Sequence, residues 1–318
     1  MLKQLFAALS PAGKAARLST LIFHRVLPRA DPLFPDEMDA ARFDELCTWL
    51  RGWFNVLPLA QALEFRAAGR LPARPLSITF DDGYADNCAL ALPILQRHGL
   101  HATFFVSTGF LNGGIMWNDR VIESVRLAAG SSLDLRGAQG LDLGLHPLGS
   151  IEERRQAIGA LLLRIKHLPP PQREAAVVAV VEAARVSLPG DLMLTTAQLL
   201  ALRNAGMGLG AHTINHPILA SLDRAAAERE IVGGRDQLQV LIGQRVGLFA
   251  YPNGKPGDDF SDEHAELARE AGFDAAVTTA WGVSTQASDP FRIPRFTPWD
   301  QSKLRFGMRM AGNLRRQQ

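Results

Sequence analysis

Three places in this 318-residue chain bring together side chains that can move protons or hold a metal ion. The first is Ser77-Ile78-Thr79-Phe80-Asp81-Asp82-Gly83-Tyr84, an apolar run that stops at two adjacent carboxylates and a glycine. Acids side by side repel, so one is driven neutral unless a cation or a base partner gives them separate roles. The second is His212-Thr213-Ile214-Asn215-His216-Pro217, two imidazoles four residues apart that can face one centre from a loop or a single helical turn. One carboxylate added to two imidazoles is the donor set of a catalytic metal site that keeps a position for water. The third is His24, which closes the apolar run Leu21-Ile22-Phe23. Each has a plainer reading when alone: Asp-Asp-Gly is a common strand-ending turn, and His-x-x-x-His is frequent without a metal.

Such groups need a scaffold that gathers strand ends. Residues 21–26, 54–57, 76–80, 102–106, 207–211, 246–251 and 273–278 read as short buried strands, and 291–296 as a last one weakened by its internal Pro294. Helical spacing covers 43–50, 60–68, 84–98 with an interruption at Pro93, 117–128, 195–204, 224–242 and 261–271. This alternation predicts an α/β fold with a closed or nearly closed parallel barrel of about seven strands, whose C-terminal strand ends converge on one face. His24, Asp81, Asp82, His212, His216 and Tyr251 all fall at such ends. An open doubly wound sheet is the runner-up, but no glycine-rich phosphate fingerprint follows the first strand.

From about 130 to 194 the pattern changes to charged and alanine-rich runs, 152–168 and 172–184, separated by Pro169-Pro170-Pro171. This stretch reads as a helical insertion and not as more sheet. The domain plan is therefore a basic N-terminal segment at 1–19, a barrel at 20–300 carrying that insertion, and a basic C-terminal tail at 301–318.

Hydrophobic residues at 47% and charged residues at 21% describe an ordinary globular chain. A net charge of +2 argues against a dedicated nucleic-acid partner. Cys47 and Cys88 stand far apart and suggest neither a disulfide framework nor a cysteine zinc site. Residues 1–19 hold Lys3, Lys14 and Arg17 and no acid, and their apolar run at 5–9 is too short for a signal-peptide core or a membrane span. The reading is a cytoplasmic protein, with basic termini that can rest peripherally on an anionic membrane surface or simply be solvated helices. Its oligomeric state is left open.

Thr79-Phe80-Asp81-Asp82-Gly83, the His212 to Pro217 stretch and Phe249-Ala250-Tyr251-Pro252-Asn253-Gly254 resemble the successive motifs of the polysaccharide deacetylases, the NodB-homology domain of carbohydrate esterase family 4. The resemblance runs from about residue 21 to 296, broken by the insertion. It implies a distorted (β/α) barrel in which Asp81 is the general base and Asp82, His212 and His216 hold a divalent metal. Zinc is the default ion, and cobalt or nickel suit the same ligands. It further implies an N-acetylated glycan as substrate and the backbone N–H of Tyr251 as a donor to the oxyanion.

Two positions depart from the family pattern. Phe249 stands where many members have an arginine that orients the base, and no histidine follows His264 to serve as a late acid. The opening Phe23-His24-Arg25-Val26, however, resembles a subgroup typified by exopolysaccharide poly-N-acetylglucosamine deacetylases, whose acid histidine comes from the first strand. His24 is thus the candidate acid. Arg292 or Arg295 can replace the missing arginine, since a guanidinium can hold a carboxylate at two points.

Trp117, Trp281 and Trp299 read as packing residues before sugar platforms. Asn118-Asp119-Arg120 reads equally as a helix cap or as cleft lining. The expected function is a metal-dependent hydrolase that removes N-acetyl groups from an amino sugar in a polysaccharide or glycan precursor. The alternatives are a silent sugar-binding barrel, or a deacetylase of a lipid-linked sugar, peptidoglycan or an O-acetyl ester.

Overall fold

The computed structural model describes residues 2–137 and 140–316. In chain order its strands are β1 (Ser19–Phe23), β2 (Asn55–Val56), β3 (Pro75–Phe80), β4 (Ala102–Val106), β5 (Ser132–Asp134), β6 (Leu145–Pro147), β7 (Gly208–Ala211), β8 (Leu248–Ala250) and β9 (Ala275–Val277). All except β5 and β6 join one seven-stranded sheet in the order β1-β3-β4-β7-β8-β9, with β2 beside the start of β3. Every pair in that sheet is parallel. The expected distorted (β/α) barrel is therefore the fold.

The helices are α1 (Leu2–Leu9), α2 (Ala40–Trp53), α3 (Leu59–Ala67), α4 (Leu92–His98), α5 (Trp117–Leu127), α6 (Ile151–Ile165), α7 (Pro170–Ala184), α8 (Thr196–Asn204), α9 (Arg224–Ile242), α10 (Asp262–Glu270) and α11 (Lys303–Asn313). Local chemistry sets their limits. Asp39 and Asp223 cap α2 and α9 through their side chains, and Thr195 with Gln198 forms a capping box on α8. Pro93 does not break a helix. It follows a π-helical turn at Asn87–Ala91, whose altered hydrogen-bond register carries the helix past the N–H that proline lacks.

Strand parity explains what the barrel buries. Leu76, Ile78, Phe80 and Phe104 belong to a large cluster that includes helix residues such as Phe43, Leu46 and Leu95. Phe105, Leu248, Ala250, Ala275, Val277 and Ile293 form a separate cluster on the opposite sheet face. Side chains alternate between faces along a strand, so Ser77, Thr79 and Asp81 share the second, inner side.

The segment 291–296 is not a ladder strand, because Pro294 lacks the N–H a ladder needs. It still spans from β9 to β1 by isolated parallel bridges, Ile293 with Val277 and Phe296 with Leu21. Thr278 N–H donates to the Ile293 carbonyl at 2.8 Å and Phe296 N–H to the Thr20 carbonyl at 2.8 Å. Arg295 lies between these two attachments.

The chain divides into two compact units. One comprises 1–29, 37–112 and 193–318 and contains the barrel; the other comprises 30–36 and 113–192. The second has its own core of Val121, Val125, Leu133, Leu161, Ile165, Val177 and Val180. It is not wholly helical: β5 and β6 pair antiparallel, Leu133 opposite His146, beside α5, α6 and α7. The expectation of helix alone within 130–194 is corrected there. Strands of three residues carry too little alternation to be read from sequence.

Candidate active site

β3 delivers Asp81 and Asp82 at its C-terminal tip, and the two are then separated by backbone conformation. Asp81 continues the inward parity of Ser77 and Thr79. Both its oxygens are gripped by Arg295, with Nη1 2.7 Å from Oδ1 and Nη2 2.7 Å from Oδ2. The guanidinium is itself fixed, because Nε donates to the Thr278 carbonyl at 2.9 Å and Nη1 also reaches Thr79 Oγ1 at 3.2 Å. Arg295 is fully buried and Asp81 nearly so. Burial pushes the Asp81 carboxyl up, but Arg295 outweighs it with help from His212 and His24, and the group ends below the usual carboxylate range. Asp81 is therefore held ionised. Arg292, the other candidate from the last segment, faces Asp262 and Asp289.

Asp82 adopts φ +77°, a left-handed conformation that costs about 1–2 kcal/mol in a residue with a Cβ. Thr213 and His216 share that region at φ +64° and +52°. Of seven such non-glycine residues among those described, three cluster here, which marks the site as a place where tertiary contacts override backbone preference. The result brings Asp82 Oδ1 within 3.3 Å of Nε2 of both His212 and His216.

This trio fits a cation. Asp82 Oδ1 is buried and has no hydrogen-bond partner. The three donor atoms all lie within 4.8 Å of one another. Ligands at roughly 2.0–2.1 Å around a tetrahedral ion stand about 3.3–3.4 Å apart, which matches the 3.3 Å separations of Asp82 Oδ1 from each imidazole. His212 Nδ1 lies 2.7 Å from the Ala250 carbonyl, so that nitrogen donates and Nε2 keeps the lone pair a metal needs.

The electrostatics agree. Burial lowers His212, but the carboxylates of Asp82 and Asp81 reverse this and raise it above the ordinary histidine range. Burial pushes His216 down to about 4 despite Asp82. Asp82 itself is well below the usual carboxylate range, because its two imidazole neighbours outweigh burial.

His24 is exposed, one residue past the end of β1. Its charge acts on both Asp81 and Asp82, so it stands at the same end of the barrel. The backbone around it is tied from the π-helical turn. Asn87 Nδ2 donates to the His24 carbonyl at 2.9 Å, Val26 N–H donates to Asp86 Oδ1 at 3.2 Å, and Arg25 Nε pairs with Asp86 Oδ2 at 2.8 Å.

Tyr251 is fully buried, with its ring stacked on Phe260 and its hydroxyl donating to the Phe291 carbonyl at 3.1 Å. Its backbone N–H is engaged in a long 3.3 Å bond to the Val277 carbonyl. Phe249 packs edge-on against that ring at 5.1 Å. Trp117 stacks with Arg173, and Trp281 and Trp299 flank Arg309.

One residue that sequence reasoning overlooked holds the histidine loop. From α9, Glu230 Oε2 accepts from the N–H groups of Ile214 at 3.0 Å and Asn215 at 2.8 Å, while Oε1 accepts from Asn215 Nδ2 at 2.8 Å. Thr213 Oγ1 accepts from the His216 N–H at 3.1 Å. The loop lies so close to α9 that a Cβ on Gly234 would sit 2.6 Å from the Thr213 carbonyl carbon. The only sequence signal for Glu230 was an acid on the helix following the second histidine.

Residues 68–131 and 176–276, more than half of the chain, match the family model described as polysaccharide deacetylase. The curated candidate deacetylase YxkH of Bacillus subtilis (strain 168) is 19% identical over 284 residues, covering 89% of this chain and 71% of its own. Among solved structures, IcaB from Ammonifex degensii gives a TM-score of 0.61 at 18% identity, over 96% of this chain and 99% of that one. A de-N-acetylase from Aggregatibacter actinomycetemcomitans gives 0.58 at 15% identity, over 93% and 99%. At these identities the structural likeness concerns the fold.

Proposed function

The chain belongs to the polysaccharide deacetylase family, and on that premise we propose that it is a metal-dependent hydrolase removing N-acetyl groups from an amino sugar in a polysaccharide or glycan precursor. The observation that carries this reading is the division of two adjacent carboxylates, Asp81 onto Arg295 and Asp82 onto His212 and His216. The family resemblance assigns base and ligand to the same two positions. The name of the Aggregatibacter structure, a de-N-acetylase, supports an amide over an ester as the bond cleaved.

Asp82, His212 and His216 would hold the divalent ion, with zinc the first choice for two imidazoles and one carboxylate. Such an ion, when bound, polarises the acetyl carbonyl and makes water a better nucleophile near neutral pH. Asp81, kept ionised by Arg295, takes the proton of the attacking water. The Tyr251 N–H can share its hydrogen between the Val277 carbonyl and the developing oxyanion, as a three-centre bond does. His24, protonated, donates to the departing nitrogen as the C–N bond breaks, leaving acetate and a free amine.

Metal analysis combined with acetate release from N-acetylglucosamine oligomers tests the assignment. Asp81→Asn should abolish turnover and keep the metal, whereas His216→Ala should lose both. Metal retention without acetate release by the parent protein would favour a silent sugar-binding barrel, and full activity in Asp81→Asn would remove it as the base.

A further inference from the structure

We infer that the outward face of α11, together with Trp299, is a docking surface for an anionic lipid bilayer. Residues 1–19 and 301–318 hold eight lysines and arginines and no aspartate or glutamate, while the whole chain is only +2. The rest of the chain is therefore net negative, and the positive charge is concentrated on these two segments. α1 and α11 lie side by side, because a Cβ on Gly307 would sit 2.8 Å from Leu2 Cδ1.

The inner face of α11 already has its partners. Phe306 packs on Trp49 and Trp53 and, with Met310 and Leu314, is fully buried. Two other apolar side chains of α11, Leu304 and Met308, point the other way. Leu304 is 62% exposed, Met308 one turn later is 55% exposed, and Trp299 just before the helix is 54% exposed. At about 100° per residue Leu304, Met308 and Arg315 fall along one line, with Arg305 to one side.

Arg305 and Arg315 are exposed, whereas Arg316 lies over Trp281 and Arg309 is stacked on Trp281 and Trp299 and paired with Asp300. Single exposed leucines are ordinary on a protein surface. Two exposed aliphatic side chains one turn apart, with an exposed tryptophan just before the helix, Lys303 and Arg305 exposed on it and Arg315 exposed just past its end, are the pattern of a helix lying in the plane of a membrane interface. A nucleic acid would satisfy the arginines and leave Leu304 and Met308 without a use, so the bilayer is the better occupant.

Co-sedimentation of the full chain with vesicles tests this. Vesicles of phosphatidylcholine with about 30% phosphatidylglycerol should bind it at least about tenfold better than phosphatidylcholine alone at roughly 0.1 M salt. Leu304→Ser with Met308→Ser should weaken that binding about tenfold or more. Arg305→Gln should weaken it about fivefold. Both variants should keep the thermal midpoint and the acetate release of the parent on a soluble substrate. No preference for anionic vesicles would overturn the proposal. So would a serine pair that binds vesicles like the parent, or binding to a DNA duplex that matches vesicle binding and ignores the serine pair.

Discussion

Arg295 and Asp81 meet end to end inside the barrel, two guanidinium nitrogens each 2.7 Å from a separate carboxylate oxygen. On the proposed assignment, the pair stands in for the arginine that Phe249 replaces at the start of the third motif. A guanidinium brought from the last segment occupies the space beside Asp81, the proposed base.

Exchanging Arg295 for lysine keeps a charge but removes the two-point grip. Burial alone raises the Asp81 carboxyl, so a weaker counter-charge moves its titration upward. Since the base must be ionised, the acid limb of kcat/KM should move to higher pH by about one unit. Arg295→Ala leaves a buried carboxylate unpaired and should cost about 3–5 kcal/mol of stability. Identical pH profiles in Arg295→Lys and the parent would remove Arg295 from control of the base.

The same pair fixes a sign for stability against pH. Asp81 titrates below its unfolded value of about 3.9, so its contribution is complete above that pH and is lost as pH falls through the lower folded value. Urea unfolding of metal-free protein should show stability dropping as pH falls below about 4, with a shallower drop in Arg295→Lys.

Metal should stabilise the fold as well as serve the chemistry. At a hundredfold excess of zinc over its Kd, unfolding should be harder by about 2.7 kcal/mol, and a chelator should reverse the gain. Thermal scans would read this as a raised midpoint in the parent and none in His216→Ala.

Glu230 touches the backbone of Ile214 and Asn215 and not the proposed ion. Glu230→Gln should weaken metal binding about 10- to 100-fold, while saturating metal restores most turnover. Calorimetric titration separates this from a residue needed only for folding, whose loss would lower the midpoint without changing affinity.

Asn87 holds the His24 carbonyl from the π-helical turn. If His24 is the acid, Asn87→Ala should lower kcat about tenfold and leave metal content unchanged, because a loosened acid is a misplaced one. Unaltered kcat would detach that turn from the chemistry.

How much of this could be read beforehand depended on distance along the chain. The barrel was legible because Leu76, Ile78 and Phe80, or Phe104 and Val106, declare a buried strand within a few residues. His212 and His216 were legible for the same reason, as a short spacing after a strand. Glu230 was not, because its bonds reach a loop fifteen and sixteen residues away by a helix packing that no spacing encodes. The β5–β6 ribbon escaped because three-residue strands carry too little pattern. The left-handed backbone of Asp82, Thr213 and His216 escaped because only the finished loop imposes it. Arg295 was one of two candidates by sequence, and the contact with Asp81 distinguishes it from Arg292.

The residue that grips Asp81 is carried by the least laddered stave of the barrel, a seam fastened at Ile293 and Phe296 on either side of Pro294. A segment joined to its neighbours by isolated bridges, without a continuous ladder, opens at lower free energy than β3 or β4. Amide exchange should therefore be faster at Ile293 and Phe296 than at Ile78 or Phe104. Warming should thus release the base from its arginine while the barrel around it is still folded, so that activity fades at a lower temperature than the fold itself.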